Sequence, residues 1–175
     1  MWDFFQTVRH RHSVRRYQPD MPVEREKLHA ILETAVAAPS AGDLQAYRIV
    51  VVEDRALREQ LGQAAGGQAF IAEAPVCLVF CTEPARSAEQ FGDRGRRLFA
   101  IQDATIAAAY AQLAIVAAGM GSTWVGSFEE GEIRRLLELE ADLKPVAMLC
   151  MGYPAELPEP TPRRRLEDMV DYRLG

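Results

Sequence analysis

The chain has 175 residues, 49% hydrophobic and 26% charged, which suits one soluble domain with a core of its own. A net charge of −5 argues against nucleic acid as the main partner, because backbone phosphates are bound through a positive surface field. Cys77, Cys81 and Cys150 form no disulfide framework, the three histidines share no ligand spacing with cysteines or carboxylates, and no metal site is expected. The first residues show no basic-then-apolar leader, so a cytoplasmic location is the expectation.

In chain order, Asp3 can cap a short helix running to about Arg9. Arg11 to Tyr17 is a polar, basic stretch, extended as a loop by Pro19 and Pro22. Glu24 to Ala38 places Leu28, Ile31, Leu32, Ala35 and Val36 at helical spacing, and Pro39 ends that helix in the turn Ser40-Ala41-Gly42-Asp43. Tyr47 to Val52 is a β-branched run and predicts a strand. Asp54 caps a helix to about Ala65, stopped by Gly66-Gly67. A short helical turn, Phe70 to Ala74, precedes a buried strand from Val76 to Cys81, where Cys77 and Cys81 read as small hydrophobes. Ser87 to Gly95 reads as polar and irregular.

Leu98 to Met120 is a long, Ala-rich apolar helix. It is long enough to span a bilayer, but Gln102, Asp103 and Gln112 interrupt it, so no membrane role is expected and it reads as a core helix. Its uniform apolarity in so small a chain suggests that a second subunit covers part of it. Thr123 to Val125 predicts a short strand, Glu129 to Leu139 an amphipathic helix, Val146 to Met151 a further strand, and Tyr153 to Pro162 a proline-rich extended tail. Few short strands among many helices predict a small sheet wrapped by helices, in a mixed α/β or α+β domain.

Four segments offer chemistry. Arg11, Ser13 and Arg15 alternate, so an extended backbone sets two guanidiniums and a hydroxyl on one face, a match for phosphate oxygens; the alternative is a solvated basic loop. Pro39, Ser40, Asp43 and Gln45 put a hydroxyl, a carboxylate and an amide on one turn, which could equally be a plain helix stop. Gly119, Gly121 and Gly126 punctuate a run through Trp124, Val125, Ser127 and Phe128, and glycines let backbone approach a flat ring or a phosphate closely. Arg163-Arg164-Arg165 lies in the tail, where a solvated charge run is the competing reading.

In this order and spacing, the segments resemble the nitroreductase family of FMN-dependent oxidoreductases over nearly the whole chain. The carriers are Arg11-His12-Ser13-Val14-Arg15-Arg16-Tyr17, Ala38-Pro39-Ser40 through Gln45-Ala46-Tyr47, Gln68 to Pro75, Asp103 early in the Ala-rich helix, Gly119 to Phe128, and Gly152-Tyr153-Pro154 with the arginine-bearing tail. Asp43 stands where the family usually carries Asn, and a carboxylate cannot donate a hydrogen bond unless protonated. The resemblance implies an α+β fold with a small, mainly antiparallel sheet. It also implies an intertwined homodimer with FMN at the interface, residues 1–175 forming one domain and 153–175 a tail packed on the partner subunit.

By the same resemblance, Arg11, His12, Ser13 and Arg15 hold the FMN phosphate and ribityl chain. Pro39, Ser40, Asp43 and Gln45 reach the flavin from the partner, and Trp124, Val125, Gly126 and Ser127 line the ring. Arg163 or Arg164 completes the phosphate clamp. The implied activity is electron transfer from NAD(P)H to a small-molecule acceptor, such as a nitroaromatic or quinone, by a ping-pong cycle with no obligatory catalytic side chain. Dehalogenation or enone reduction on the same fold, or flavin binding without turnover, are the alternatives.

Overall fold

A computed structural model describes residues 3–173. Asp3 caps the first helix, α1 (Phe4–His10), with a full capping box: its carboxylate accepts from Gln6 N at 2.7 Å, and its own N–H donates to the Gln6 side chain. Next come α2 (Arg25–Val36), β1 (Tyr47–Val52), α3 (Arg55–Ala64), the single turn α4 (Phe70–Glu73) and β2 (Val76–Thr82). The second half holds α5 (Pro84–Arg94), α6 (Ala100–Ala117), β3 (Gly121–Val125), α7 (Glu130–Leu136) and β4 (Lys144–Gly152). Asp54 caps α3 through Leu57 N at 2.7 Å, as its place in the sequence implies.

The four strands form one sheet in the order β1-β2-β4-β3, antiparallel throughout. Strands β2 and β4 are central, and helices cover both faces. Val76, Leu78 and Phe80 of β2, with Leu149 and Met151 of β4, meet α2 and α6 on one face. Cys77, Val79 and Cys81, with Met148 and Cys150, face α3, α4 and Ile133 of α7 on the other. A strand buried on both sides has no polar face, which is why β2 reads as an unbroken apolar run.

Helix α6 is the core helix expected. Ala100, Ala104, Ala107, Ala108, Ala111 and Ile115 are fully buried, and the alanine ridge lets the helix lie close on the sheet. Ile101 and Tyr110 stay exposed on its other side. An apolar groove of about 650 Å³ runs between α1, α2 and α6, lined by Phe4, Ile31, Tyr110, Leu113 and Ala114.

One expectation is corrected. Ser87 to Gly95 is not irregular: it lies in α5, which starts with Pro84 at its first turn, breaks at Gly92 (φ 57°, ψ −139°) and runs through the π-turn Gly95–Phe99 into α6. Most of α5 lies on the surface with only Pro84 and Ser87 buried, so it shows a polar composition rather than an apolar stripe. The other boundaries agree with the sequence to within a few residues; β3 begins earlier, at Gly121, and α7 ends earlier, at Leu136.

Candidate functional site

The basic segment Arg11–Arg15 lies against the β3 edge of the sheet. Ser13 bridges Ser122 in parallel, Val14 N donates to Ser122 O at 3.0 Å, and the Thr123 hydroxyl donates to Val14 O. Val14 is the apolar plug that holds it there, 2% exposed in the core. Tyr17 locks the end of the segment, its hydroxyl lying 2.7 Å from Val14 O and 2.8 Å from Cys150 O. Gly121 is required at this contact, since a Cβ there would lie 2.5 Å from Val14 Cγ2 and 3.1 Å from Pro154 Cγ. The basic segment and the glycine-rich segment, far apart in sequence, are therefore neighbours in space.

His12 turns with Val14 toward a small cleft of Gly119, Met120, Gly121 and Pro154. Arg15 is exposed, and its guanidinium sits over the Phe70 ring, 5.8 Å from the centroid. Among the described residues neither Arg11 nor Arg15 pairs with a carboxylate, unlike Arg48, which is held by Glu83 and Glu140. A third loop joins them: Glu129 N, just past Gly126 and Ser127, donates to Ala64 O at 2.8 Å and so ties the end of β3 to the α3–α4 connection before Phe70. Trp124 is half-buried, Val125 is buried, and Gly126 and Ser127 are exposed. A Cβ on Gly126 would meet only the Trp124 indole, at 3.7 Å, so that backbone is open to close approach. Two unneutralised guanidiniums, a hydroxyl and an open glycine backbone beside an indole suit a ligand with an anionic end and a flat ring, and FMN is such a ligand.

The turn with Ser40, Asp43 and Gln45 lies elsewhere. It leads into β1, at the opposite edge of the sheet from β3. Three of its residues have left-handed backbone: Gly42 (φ 58°), Asp43 (φ 55°) and Gln45 (φ 48°). For the two non-glycine residues this costs about 1 kcal/mol or more each and persists only where neighbours fix it. Here they do. Gln45 N donates to Ser40 Oγ at 2.9 Å, the Gln45 amide to Val36 O at 2.8 Å, and Arg86 Nε to Leu44 O at 2.6 Å. From α6, Asp103, 2% exposed, accepts from Ala41 N at 2.9 Å. Asp43 itself is exposed, while Pro39 and Ser40 line a hollow with Ile101, Gln102 and Ile106.

The tail arginines are also apart from the anchor within one chain. Every described residue from Glu159 onward is exposed, and the hydrogen bonds there are local, as from Arg164 to Asp168 O at 2.7 Å. The sequence thus identified segments that one chain brings together in part: Arg11–Arg15 with the glycine-rich segment at Gly121–Thr123, but not with Pro39–Gln45, Arg163 or Arg164.

Two supporting roles carried no assignment from sequence. Phe70, beneath Arg15, has no signal in its own apolar turn. Asp103 does have one, being the only carboxylate within α6, and the structure gives it the task of holding Ala41.

The comparisons agree with the fold. The model of the nitroreductase family matches residues 8–70 and 63–153. A protein of Thermus thermophilus named NADH dehydrogenase is 35% identical, the alignment covering 93% of this chain and 92% of the relative. The oxygen-insensitive NADPH nitroreductase of Salmonella typhimurium is 31% identical over 91% of this chain and 69% of its own length. The solved structure of an NADPH:FMN oxidoreductase from Vibrio harveyi, complexed with NAD+, superposes with a TM-score of 0.89 at 28% identity, covering 98% of this chain and 77% of that one. With this fold, this order of motifs and these relatives, the chain belongs to the nitroreductase family of oxidoreductases.

Proposed function

We propose that the chain binds FMN as a homodimer and passes electrons from NAD(P)H to small electrophiles such as nitroaromatics or quinones. The observation that carries this reading is the pairing of Val14 with Ser122, which lays the basic segment with its unneutralised Arg11 and Arg15 along β3, the strand that leads into the open backbone at Gly126. Arg11 and Arg15 present forked donors to a phosphate, while Ser13 meets the polyol chain; His12, turned toward the cleft at Gly119–Gly121, stands apart from them. Trp124, Val125, Gly126 and Ser127 flank the ring, and the site's local cations favour its reduced, anionic form. FMN supplies the redox chemistry, accepting two electrons from a nicotinamide and releasing them to the acceptor. The protein's share is orientation and electrostatics, and no side chain need act as acid or base.

Three observations support a second copy. The turn Ser40–Gln45 and the anchor stand at opposite edges of a four-stranded sheet, roughly 14 Å apart at the usual strand spacing, so one chain cannot close both on one ring. The groove between α1, α2 and α6 is apolar and bordered by exposed Phe4, Phe5, Val8 and Tyr110, a surface of the kind that partners cover. The tail exposes Leu157, Leu166, Met169, Val170 and Tyr172, which gain cover by lying across another subunit. In that assembly Pro39, Ser40, Asp43 and Gln45, with Arg163 or Arg164, reach the flavin from the partner.

The test is an absorbance spectrum of the purified protein supplied with FMN, followed by anaerobic stopped flow with NADH or NADPH. Flavin bands that bleach with either nicotinamide and return with a quinone are expected. Bound flavin that neither nicotinamide reduces would refute the donor half, and protein that retains no flavin would refute the whole reading.

A further inference from the structure

Against Ala72 and Glu73 of α4 lies a second cleft of about 710 Å³. Its lining includes Arg16, Arg55 and Arg58, with Tyr17 and Pro75 as apolar wall and Asp20 and Glu73 as acids. Arg55 and Arg58 stand three residues apart in the first turn of α3, on one face of the helix and at its positive end. Arg16 enters from the N-terminal segment; it follows Arg15 and faces the other way.

Arg58 sets this cleft apart. It is only 6% exposed, yet it donates to one neutral acceptor, the Glu53 carbonyl, and its buried Nε has no acceptor. Among the described residues no carboxylate pairs with Arg58 or Arg16, and Arg55 meets only the exposed Glu59. Burial disfavours the charge on Arg58; Cys77 and the Asp54 carboxylate offset part of this, and Arg55 adds a smaller repulsion. A guanidinium held this way is costly unless an anion completes its shell. Both acids of the lining are exposed residues, whereas Arg58 is buried, so the charge met at depth is positive.

We propose that this cleft is an anion site, separate from the cofactor anchor, that takes a phosphate group against Arg16, Arg55 and Arg58. The group has two chemical sources, free phosphate or a phosphate of the nicotinamide donor, and the experiment separates them.

The probe is inorganic phosphate, titrated against the FMN-saturated protein and read by thermal shift at constant ionic strength. The wild type should show a saturable rise in Tm. Arg16→Ala with Arg55→Ala, both at exposed positions, should weaken half-saturation at least about tenfold. Arg11→Ala with Arg15→Ala should keep the response, measured on whatever flavin state it purifies in. No saturable response in the wild type overturns the proposal, as does a response that survives loss of Arg16 and Arg55 or disappears with Arg11 and Arg15. Steady-state kinetics then names the source: a raised KM for NADPH with that for NADH unchanged assigns the donor's phosphate, and unchanged values for both assign the free anion. The thermal arm needs no turnover, so the site stands or falls independently of the oxidoreductase reading.

Discussion

Gly121→Ala tests the joint on which the candidate site depends. The added methyl would lie 2.5 Å from Val14 Cγ2, 3.0 Å from Val14 Cβ and 3.1 Å from Pro154 Cγ. Carbon atoms pack best at about 3.5–4.0 Å, so roughly 1 Å of overlap must be relieved. Gly121 sits in a strand paired with Gly152, and Val14 is plugged into the core, so neither side gives freely. Overpacking of this kind costs about 1–3 kcal/mol. For a chain of this size each kcal/mol lowers Tm by about 2–4 °C, so a drop of roughly 2–12 °C is expected. The cheapest relief moves Val14 outward, which breaks its 3.0 Å bond to Ser122 O and shifts Arg15 from Phe70. Flavin content should therefore fall well beyond what the loss of stability alone produces. Gly119→Ala is the control: φ is +81° there, so strain of about 1 kcal/mol is expected, but nothing lies within 4 Å of its Cβ and the anchor stays seated. The assay is Tm and flavin per chain for both variants. Gly121→Ala with wild-type Tm and full flavin would refute the argument.

Removing the anchor charges directly, Arg11→Ala with Arg15→Ala, should give a folded protein of near wild-type Tm that purifies without flavin; full FMN occupancy would overturn the assignment. Asp103→Ala strands the Ala41 N–H and should cost about 1–3 kcal/mol by denaturant titration, with Asp103→Asn costing less because its carbonyl oxygen still accepts; equal losses would remove the hydrogen bond as the cause. Stability should fall at alkaline pH. Burial pushes the Cys81 thiol up to about 12 from 9.0, and the Cys77 contact, then burial, raises Cys150 well above its ordinary value. Burial also raises Tyr17. The folded state thus keeps protons that the unfolded chain releases, and the stability these groups contribute is present below about pH 9 and lost progressively from there toward 12. Denaturant midpoints across that range measure it, and a flat profile would contradict the burial argument. By the same burial all three thiols should resist a disulfide reagent until the protein unfolds.

The elements legible in the sequence were those whose pattern is local. Tyr47–Val52 declares itself by β-branching, the α3 start by Asp54, and β2 by an apolar run that only a doubly covered strand produces. Helix α5 was not legible, because its few buried positions leave no apolar period and Gly92 breaks it. The basic and glycine-rich segments could be found as motifs, but their adjacency is set by Val14 entering the core beside Gly121, more than 100 positions later, and no local rule reports that. The cleft at Arg58 was invisible for a similar reason: an arginine in a polar helix face reads as solvated, and its burial and its bond to the Glu53 carbonyl come from tertiary packing.

The seam between the first and last parts of the chain also governs when the site can exist. Ser13 and Val14 pair with Ser122; Gln18 N donates to Tyr153 O, Ala155 N to Arg16 O, and Tyr17 reaches Cys150. All of these contacts close very long loops, which form late because their chain entropy must be given up before any contact offsets it. During synthesis the anchor emerges well before the β3 edge that receives it, and the latch on Tyr17 comes later still. A nascent chain halted before β4 would lack the latch on Tyr17, so the proposed cofactor site can close only once β4 has emerged, with assembly of the seam as its gate.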